Sequence, residues 1–418
     1  MQNLMQDVRY AVRKLAASPG FAVLTIVTLA LGIGANTAMF SVLNGVILRP
    51  LAYPAPNQLM FITSQFPGLG FNQFWVSSPE FLEFRDWNRA FSSVGAYSVR
   101  AANLGAERPS RPVTTLVTSE LMPTLGVQPR LGRTFTLADT LPGAEDVAIL
   151  SDTLWRTSFG ADPAVLGKAP LIDGQPTRVV GIMPPGYDVH GQKVELWLPL
   201  TLDPNAPGNR GGHFLYLVGR LRPEMSQAAA RADLERLLAG WGDQAKAQHA
   251  PNPVGHRLRI DNLQDDMVGT VSRALWVLQG AVAFVLLIAC ANLANLLLAR
   301  ADSRRREFAV RAALGASRMR MVRQFVTEGV VIALLGGALG VGFASVGLRA
   351  LLTAYPDSVP RSADIALDWR VLAFTLVAAV ATGLIFGLAP LLHLREQAVD
   401  SALNEGGART TVGTARAR

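Results

Sequence analysis

Side chains able to make or break bonds are few and dispersed in this chain of 418 residues. Its five histidines stand at positions 190, 213, 249, 256 and 393, with no pair at metal-ligand spacing and no His-Glu-x-x-His run. Any metal site would have to be assembled in space from distant residues. The lone cysteine, Cys290, lies in an apolar stretch, so the long polar segment before it must hold together by packing, without disulfides. Gly160 to Lys168 has the outline of a phosphate loop, but six residues separate its glycines, and Ala169 takes the Ser/Thr position that would hold magnesium. No Gly-x-Ser-x-Gly elbow is present. The sequence therefore assigns this chain no catalytic residue, no metal ligand and no bound cofactor, and nothing able to hydrolyse ATP.

What the chain does carry is four long uncharged stretches: Phe21–Leu48, Ala274–Ala299, Gly329–Leu348 and Val371–Leu394. Each reaches the roughly 20 residues that an α-helix needs to cross a hydrocarbon core of about 30 Å. The expected fold is an α-helical membrane protein with four transmembrane helices and a large α+β extracytoplasmic domain between the first and second. Its segments are a leading helix at 1–20, spans at 21–48, 274–299, 329–352 and 371–394, and the interspan domain at 49–273. A loop at 300–328, a short loop at 353–370 and a tail at 395–418 complete it. An apolar run reaching from Phe21 to Leu48 far exceeds the core of a cleavable signal peptide, so the first span is expected to stay.

Charge sets the expected orientation, because Lys and Arg near helix ends are retained on the cytoplasmic side. Arg9, Arg13 and Lys14 precede the first span, and eight arginines crowd Arg300–Glu328. Arg49–Arg273 holds as many acidic as basic residues, so the formal charge of +8 belongs to the rest of the chain. Both termini and the Arg-rich loop are thus placed in the cytoplasm, and the large domain on the outer side of the membrane. The high pI reports topology in a lipid bilayer and no nucleic-acid partner.

Around the first span, Leu4, Val8, Ala11, Val12 and Leu15 share one helical face, and Ser18-Pro19-Gly20 ends the pattern, which describes an amphipathic helix on the inner leaflet. The interspan domain alternates strands with capped helices. Strands are expected at Val113–Val117, Val147–Leu150, Thr177–Ile182, Phe214–Leu221 and Arg257–Ile260. Helices are expected after Ser78-Pro79-Glu80, Ser119 and Ser151, and from Pro223 to Gly240, with a boundary between two subregions near Asn205–Gly212. Within the spans, Gly336–Gly340, Gly383–Gly387 and Gly34 with Ala38 are spaced for close helix approach, either within the chain or at a dimer seam. Asn36, Asn44, Asn292 and Asn295 can hydrogen-bond between helices. No acid or base lies at mid-membrane depth, which argues against an ion-driven transporter.

The most specific pattern lies in the loop at 300–328. Arg304, Arg305, Arg306, Glu307 and Arg311 continue the second span as a helix, Ala313, Leu314, Gly315 and Ala316 form a Gly-terminated turn, and Ser317 caps a helix through Arg323-Gln324-Phe325. This pattern, with Arg-x-Ala-Leu-Gly-Ala and Arg-Gln-Phe-x-x-Glu, resembles the inner loop of MacB/FtsX-type ABC-transporter permeases. More narrowly, Asp7-Val8-Arg9-Tyr10-Ala11, Ser18-Pro19-Gly20-Phe21, Leu31–Ala38, Leu48-Arg49-Pro50-Leu51 and Val180–Gly186 resemble the duplicated permeases first recognised in acidobacteria. Members of that subfamily usually contain two such units in tandem, and one is seen here, which leaves half of a split or truncated protein, or self-pairing, as the alternatives.

The resemblance implies a MacB-like periplasmic core domain and a transmembrane subunit of a type VII ABC system in the inner membrane of a bacterium. ATP and magnesium would sit on a partner, a MacB-like cytoplasmic ATPase docked on Arg304–Arg311 and Ala313–Ala316. Glu307 would pair either with that ATPase or with Arg311 in its own helix. ATP-driven closure would move the outer domains of this chain and a second permease unit by mechanotransmission, with a periplasmic adaptor and an outer-membrane factor as further partners in efflux. Alternatives from other classes are an FtsX-like regulator of envelope enzymes that transports nothing, and a membrane-anchored receptor.

Overall fold

The computed structural model describes residues 2–105, 109–205, 208, 210–244, 255–302, 318–355, 361–385 and 388. The chain divides into a core unit, Pro50–Thr270, and a helical unit formed by Met1–Arg49 with Val271–Arg418.

The core unit is built on one mixed sheet. Its strands are β1 (Leu59–Phe66), β2 (Phe71–Phe74), β3 (Val76–Ser77), β4 (Phe91–Ala101), β5 (Val113–Val117) and β6 (Leu131–Gly132), then β7 (Val147–Leu150), β10 (Arg178–Ile182), β11 (Leu196–Pro199), β12 (His213–Leu221) and β13 (Arg257–Asn262). A separate hairpin pairs β8 (Leu171–Ile172) with β9 (Gln175–Pro176). Across the sheet the order is β13-β1-β12-β4-β5-β11-β7-β10-β6, with β2 and β3 attached to β1 and β12. The pairs β5–β11 and β7–β10 are parallel and the others antiparallel. At 205–212 the chain leaves the half of the sheet that holds β5, β11, β7, β10 and β6 and returns to the other half, where β12 enters between β1 and β4, and both halves belong to one compact unit. The chain returns there to complete the centre of the sheet.

Successive side chains of β1 point to opposite faces, and both faces are covered. Met60 and Ile62 join Phe81, Phe84, Phe91 and Leu234 in one core, whereas Leu59 and Phe61 join Tyr97, Trp197 and Val218 in another. Helices α3 (Ser78–Trp87) and α6 (Gln227–Gln244) cover the first face. A third core places Leu154 and Trp155 of α5 (Asp152–Phe159) against Ala148, Leu150, Val179 and Ile182. The cap of α3 is Ser77, one residue before the expected Ser78, and its backbone N–H donates to Glu80 Oε2 at 3.0 Å. Ser151 caps α5 by accepting from the Leu154 N–H at 2.9 Å. The short helix α4 (Leu121–Leu125) starts after Glu120 and not at Ser119, and α6 starts at Gln227, a turn later than Pro223.

In the helical unit, α1 (Gln2–Ala16) is followed at Ser18 by α2 (Pro19–Leu43), which continues as a wider turn over Asn44–Leu48. The remaining helices are α7 (Leu263–Asp302), α8 (Arg318–Ala354) and α9 (Trp369–Ile385). Helix α7 starts well before the expected Ala274, since Asn262 Oδ1 accepts from the Gln264 N–H and Asp265 and Asp266 suit a first turn. Among the described residues three helices are long and apolar enough to cross a membrane, spanning Pro19–Leu48, Leu263–Asn295 and Val322–Ala354. The described part of the fourth, α9, extends roughly 25 Å at 1.5 Å per residue, short of a full crossing. Leu15, Leu29, Ile33, Leu293, Ile332 and Ala379 form the common core of these helices.

Candidate functional site

The residues expected to dock an ATPase, Arg304, Arg305, Arg306, Glu307, Arg311, Ala313, Leu314, Gly315 and Ala316, lie outside the described residues. What the structure describes is the frame on either side of them: the end of α7 at Asp302 and the start of α8 at Arg318.

That frame is braced by α1. Asp7 Oδ2 accepts from Arg323 Nε at 2.7 Å, and Lys14 pairs with Glu328. The second pair is largely shielded, with 12% of the Lys14 side chain and 6% of the Glu328 side chain exposed. Shielding raises the cost of leaving one partner alone, because a buried charge then lacks compensation. On the same helix Ala11 and Leu15 are buried. Of the amphipathic pattern of α1, Ala11 and Leu15 turn inward while Val12 stays exposed, and two charges of opposite sign fix the first turns of α8. No local sequence pattern announces those pairs. Their only signal is opposite charges seven residues apart on one helix, Asp7 and Lys14.

Beyond these ends the helices are joined by polar side chains. Asn36 Nδ2 donates to the carbonyls of Gly32 and Val282, each at 2.9 Å, and Asn36 Oδ1 accepts from Gln279 Nε2 at 3.2 Å, tying α2 to α7. Thr37 and Thr375 hydroxyls meet at 2.9 Å between α2 and α9, and Asn44 Nδ2 donates to Asp368 Oδ2 at 3.1 Å. Asn292 and Asn295 are exposed on α7 and take no part in this network.

Glycine allows the closest approaches. A Cβ on Gly34 would lie 2.8 Å from the Gly340 carbonyl oxygen, and one on Gly340 would lie 2.9 Å from the Ala30 oxygen. Gly336 meets Leu29 in the same seam, so α2 and α8 touch backbone to backbone. Gly383 brings α9 to within 2.7 Å, measured from an added Cβ, of the Val330 Cα. Ala38 is half-buried, and Gly387 lies outside the described residues. Gly34, Gly336, Gly340 and Gly383 thus each lie against another helix of the same chain. Helix α7 differs: few residues of its apolar stretch are buried, and Trp276, Phe284 and Ile288 are exposed.

A sheet-based domain thus stands between the first and second of several apolar helices, the order of parts that the family comparisons also find. Residues 22–237 match the family described as MacB-like periplasmic core domain, and residues 280–399 match the FtsX-like permease C-terminal family. The chain belongs to the MacB/FtsX-type ABC permeases. It is 28% identical over 270 residues to the macrolide export ATP-binding/permease protein MacB of Rhodopseudomonas palustris, covering 62% of this chain and 38% of that protein. It is 23% identical over 269 residues to the uncharacterized ABC transporter permease YknZ of Bacillus subtilis, covering 62% of this chain and 61% of that protein. The chain thus spans less than two thirds of the length of either relative. It is also similar to the periplasmic region of MacB from Actinobacillus actinomycetemcomitans, with a TM-score of 0.38 at 16% identity, over 52% of this chain and 93% of that one.

Proposed function

We propose that this chain is the membrane subunit through which a separate cytoplasmic ATPase, holding ATP and magnesium, changes the shape of a periplasmic core domain. The observation that carries this reading is the bracing of α8 by α1 through Asp7–Arg323 and Lys14–Glu328, immediately after the segment with the Arg304–Ala316 pattern. A docking loop does useful work only if the helices leaving it are held firmly. Helix α7, uninterrupted from Leu263 to Asp302, is about 60 Å long and suits a lever that carries displacement away from the loop. The absence of acids and bases from the middle of the spans fits a machine that passes no ion between its helices.

In this reading both termini face the cytoplasm, residues 371–394 form a fourth span, and the exposed apolar face of α7 meets lipid or a second permease unit. An adaptor and an outer-membrane factor would complete an efflux route. The test is copurification of the detergent-solubilised chain with candidate ATPases from the same cell, with ATP turnover measured for the unmodified chain and for Leu314→Asp. Loss of ATPase association with unchanged membrane insertion is the expected result, since the substitution places a charge in an apolar docking turn. Retention at the unmodified level overturns the assignment of that loop.

A further inference from the structure

Glu80, His213 and His256 are far apart in sequence, yet the core unit assembles them at the first turn of α3, the first residue of β12 and the residue before β13. Glu80 and His256 are 1% and 2% exposed. His213 Nε2 lies 3.6 Å from Glu80 Oε2, and His256 Nδ1 lies 3.8 Å from Glu80 Oε1. One ligand atom from each residue falls within 4.8 Å of the other two.

These separations are too long for direct hydrogen bonds. They are close to the spacing of about 3.4 Å between ligand atoms that surround a tetrahedral zinc ion at about 2.1 Å. The far sides of the three groups are held in the manner of metal ligands. His213 Nδ1 is 3.1 Å from the Gly211 carbonyl, which can only accept, so Nδ1 carries hydrogen and Nε2 is the ring nitrogen that faces Glu80. His256 Nε2 is 3.0 Å from the Ser64 hydroxyl, which leaves Nδ1 facing inward. Glu80 Oε2 is steadied by the Ser77 N–H, and Oε1 faces His256. Among the described residues no Lys or Arg pairs with Glu80. A carboxyl group this deeply buried in an apolar surround needs polar partners on every side. The surround is aromatic, with the Phe66 ring stacked on His256 at 4.5 Å and Phe74 at 5.7 Å from His213.

We propose that Glu80, His213 and His256 form a binding site for a divalent transition-metal ion, zinc by ligand preference, with water in a fourth position. A His–His–carboxylate set suits a borderline metal and excludes neither cobalt nor nickel. The ion joins α3, β12 and the strand end before β13, a cross-link in a domain whose sequence contains no cysteine.

The experiment uses the full chain, free of any tag, purified in detergent and stripped with a chelator. Zinc titration against a competing chelator should show saturable binding near one ion per chain. The His213→Asn, His256→Gln double variant should lose it, and Ser64→Ala should weaken it roughly tenfold, the effect of removing an outer hydrogen bond to a metal-bound histidine. His249→Asn and His393→Asn should leave it unchanged. Cobalt added to the stripped chain should give the intense visible absorption of a tetrahedral site, a readout on the unmodified protein that stands even if a histidine variant fails to fold. A cobalt spectrum like that of the aqueous ion overturns the proposal. So does zinc binding no tighter than in the double variant, which would leave the cluster as a proton-sharing trio.

Discussion

Helices α2 and α8 meet where side chains are missing, whereas α3 and α6 meet the sheet where large ones are packed. In the first seam Gly34, Gly336 and Gly340 bring backbones into contact, and Asn36 and Thr37 add hydrogen bonds to neighbouring helices. In the core unit Phe81, Phe84, Phe91, Trp197 and Tyr97 are fully buried. The difference follows from the solvent each unit is built for. Water drives apolar area into a core, so large side chains bring the largest gain. Lipid is as apolar as leucine, and helices there gain from close packing and polar contacts, so small residues bring the gain.

Loss of a large side chain should do the most damage in the core unit. Trp197 is fully buried, with its ring centroid 5.2 Å from that of Tyr187. Trp197→Ala leaves a cavity between the sheet and its cover and is expected to cost about 3–5 kcal/mol. Thermal unfolding of the purified chain, followed by near-ultraviolet circular dichroism, should show a midpoint well below that of the unmodified chain. An unchanged midpoint would mean that this face of the sheet is not a filled core.

In the helical unit the damaging change is addition. Gly340→Leu must displace the Ala30 and Gly34 backbones, at an expected cost of about 1–3 kcal/mol. Gly342 lies two residues further along α8 with nothing within 4 Å of an added Cβ, so Gly342→Leu is expected to be neutral. The thermal midpoints of the two variants in detergent give the contrast directly. Equal midpoints would mean that the seam does not hold the helices together.

Legibility in the sequence depends on whether the cause of an element is local. Val113–Val117 and Val147–Leu150 fall where expected because turn residues bound short β-branched runs. The central strands β1 and β4 carry no clear alternation, since β1 is buried on both faces, and no strand is expected there from the sequence. The crossing near 205–212 is marked by turn residues, but nothing local announces that β12 will then enter between β1 and β4. Glycine spacing is legible as close packing, but the partners Gly34 and Gly340 lie on helices distant in sequence. Asn292 and Asn295 have the right chemistry for interhelical bonds and sit on an exposed face of α7, which composition alone does not reveal. The Glu80, His213 and His256 cluster escapes motif spacing altogether because three separate elements assemble it.

The smallest expected effect concerns how the two units use charge. Asp139 accepts from both Nη atoms of Arg133, at 2.6 and 2.9 Å, and from the Thr136 N–H at 2.7 Å. The Arg133 hydrogen bonds, opposed by partial burial and helped by Thr136, lower its pKa from 3.8 to about 2. A carboxyl whose folded value lies below its unfolded value stabilises the fold above the unfolded value and loses that contribution as pH falls through the folded one. Asp139 should therefore stabilise the core unit fully at neutral pH and progressively less between about pH 4 and pH 2. Because 41% of the Arg133 side chain is exposed, water screens the pair, and Asp139→Asn is expected to cost only about 1 kcal/mol at pH 7. The difference from the unmodified chain should close as pH approaches 2 and shrink with added salt. The Lys14–Glu328 pair, with 12% and 6% exposure, is more shielded, so Lys14→Met should keep more of its effect at high salt. Denaturant unfolding of both variants at low and high salt decides whether shielding separates the two pairs; an equal salt response would show that it does not.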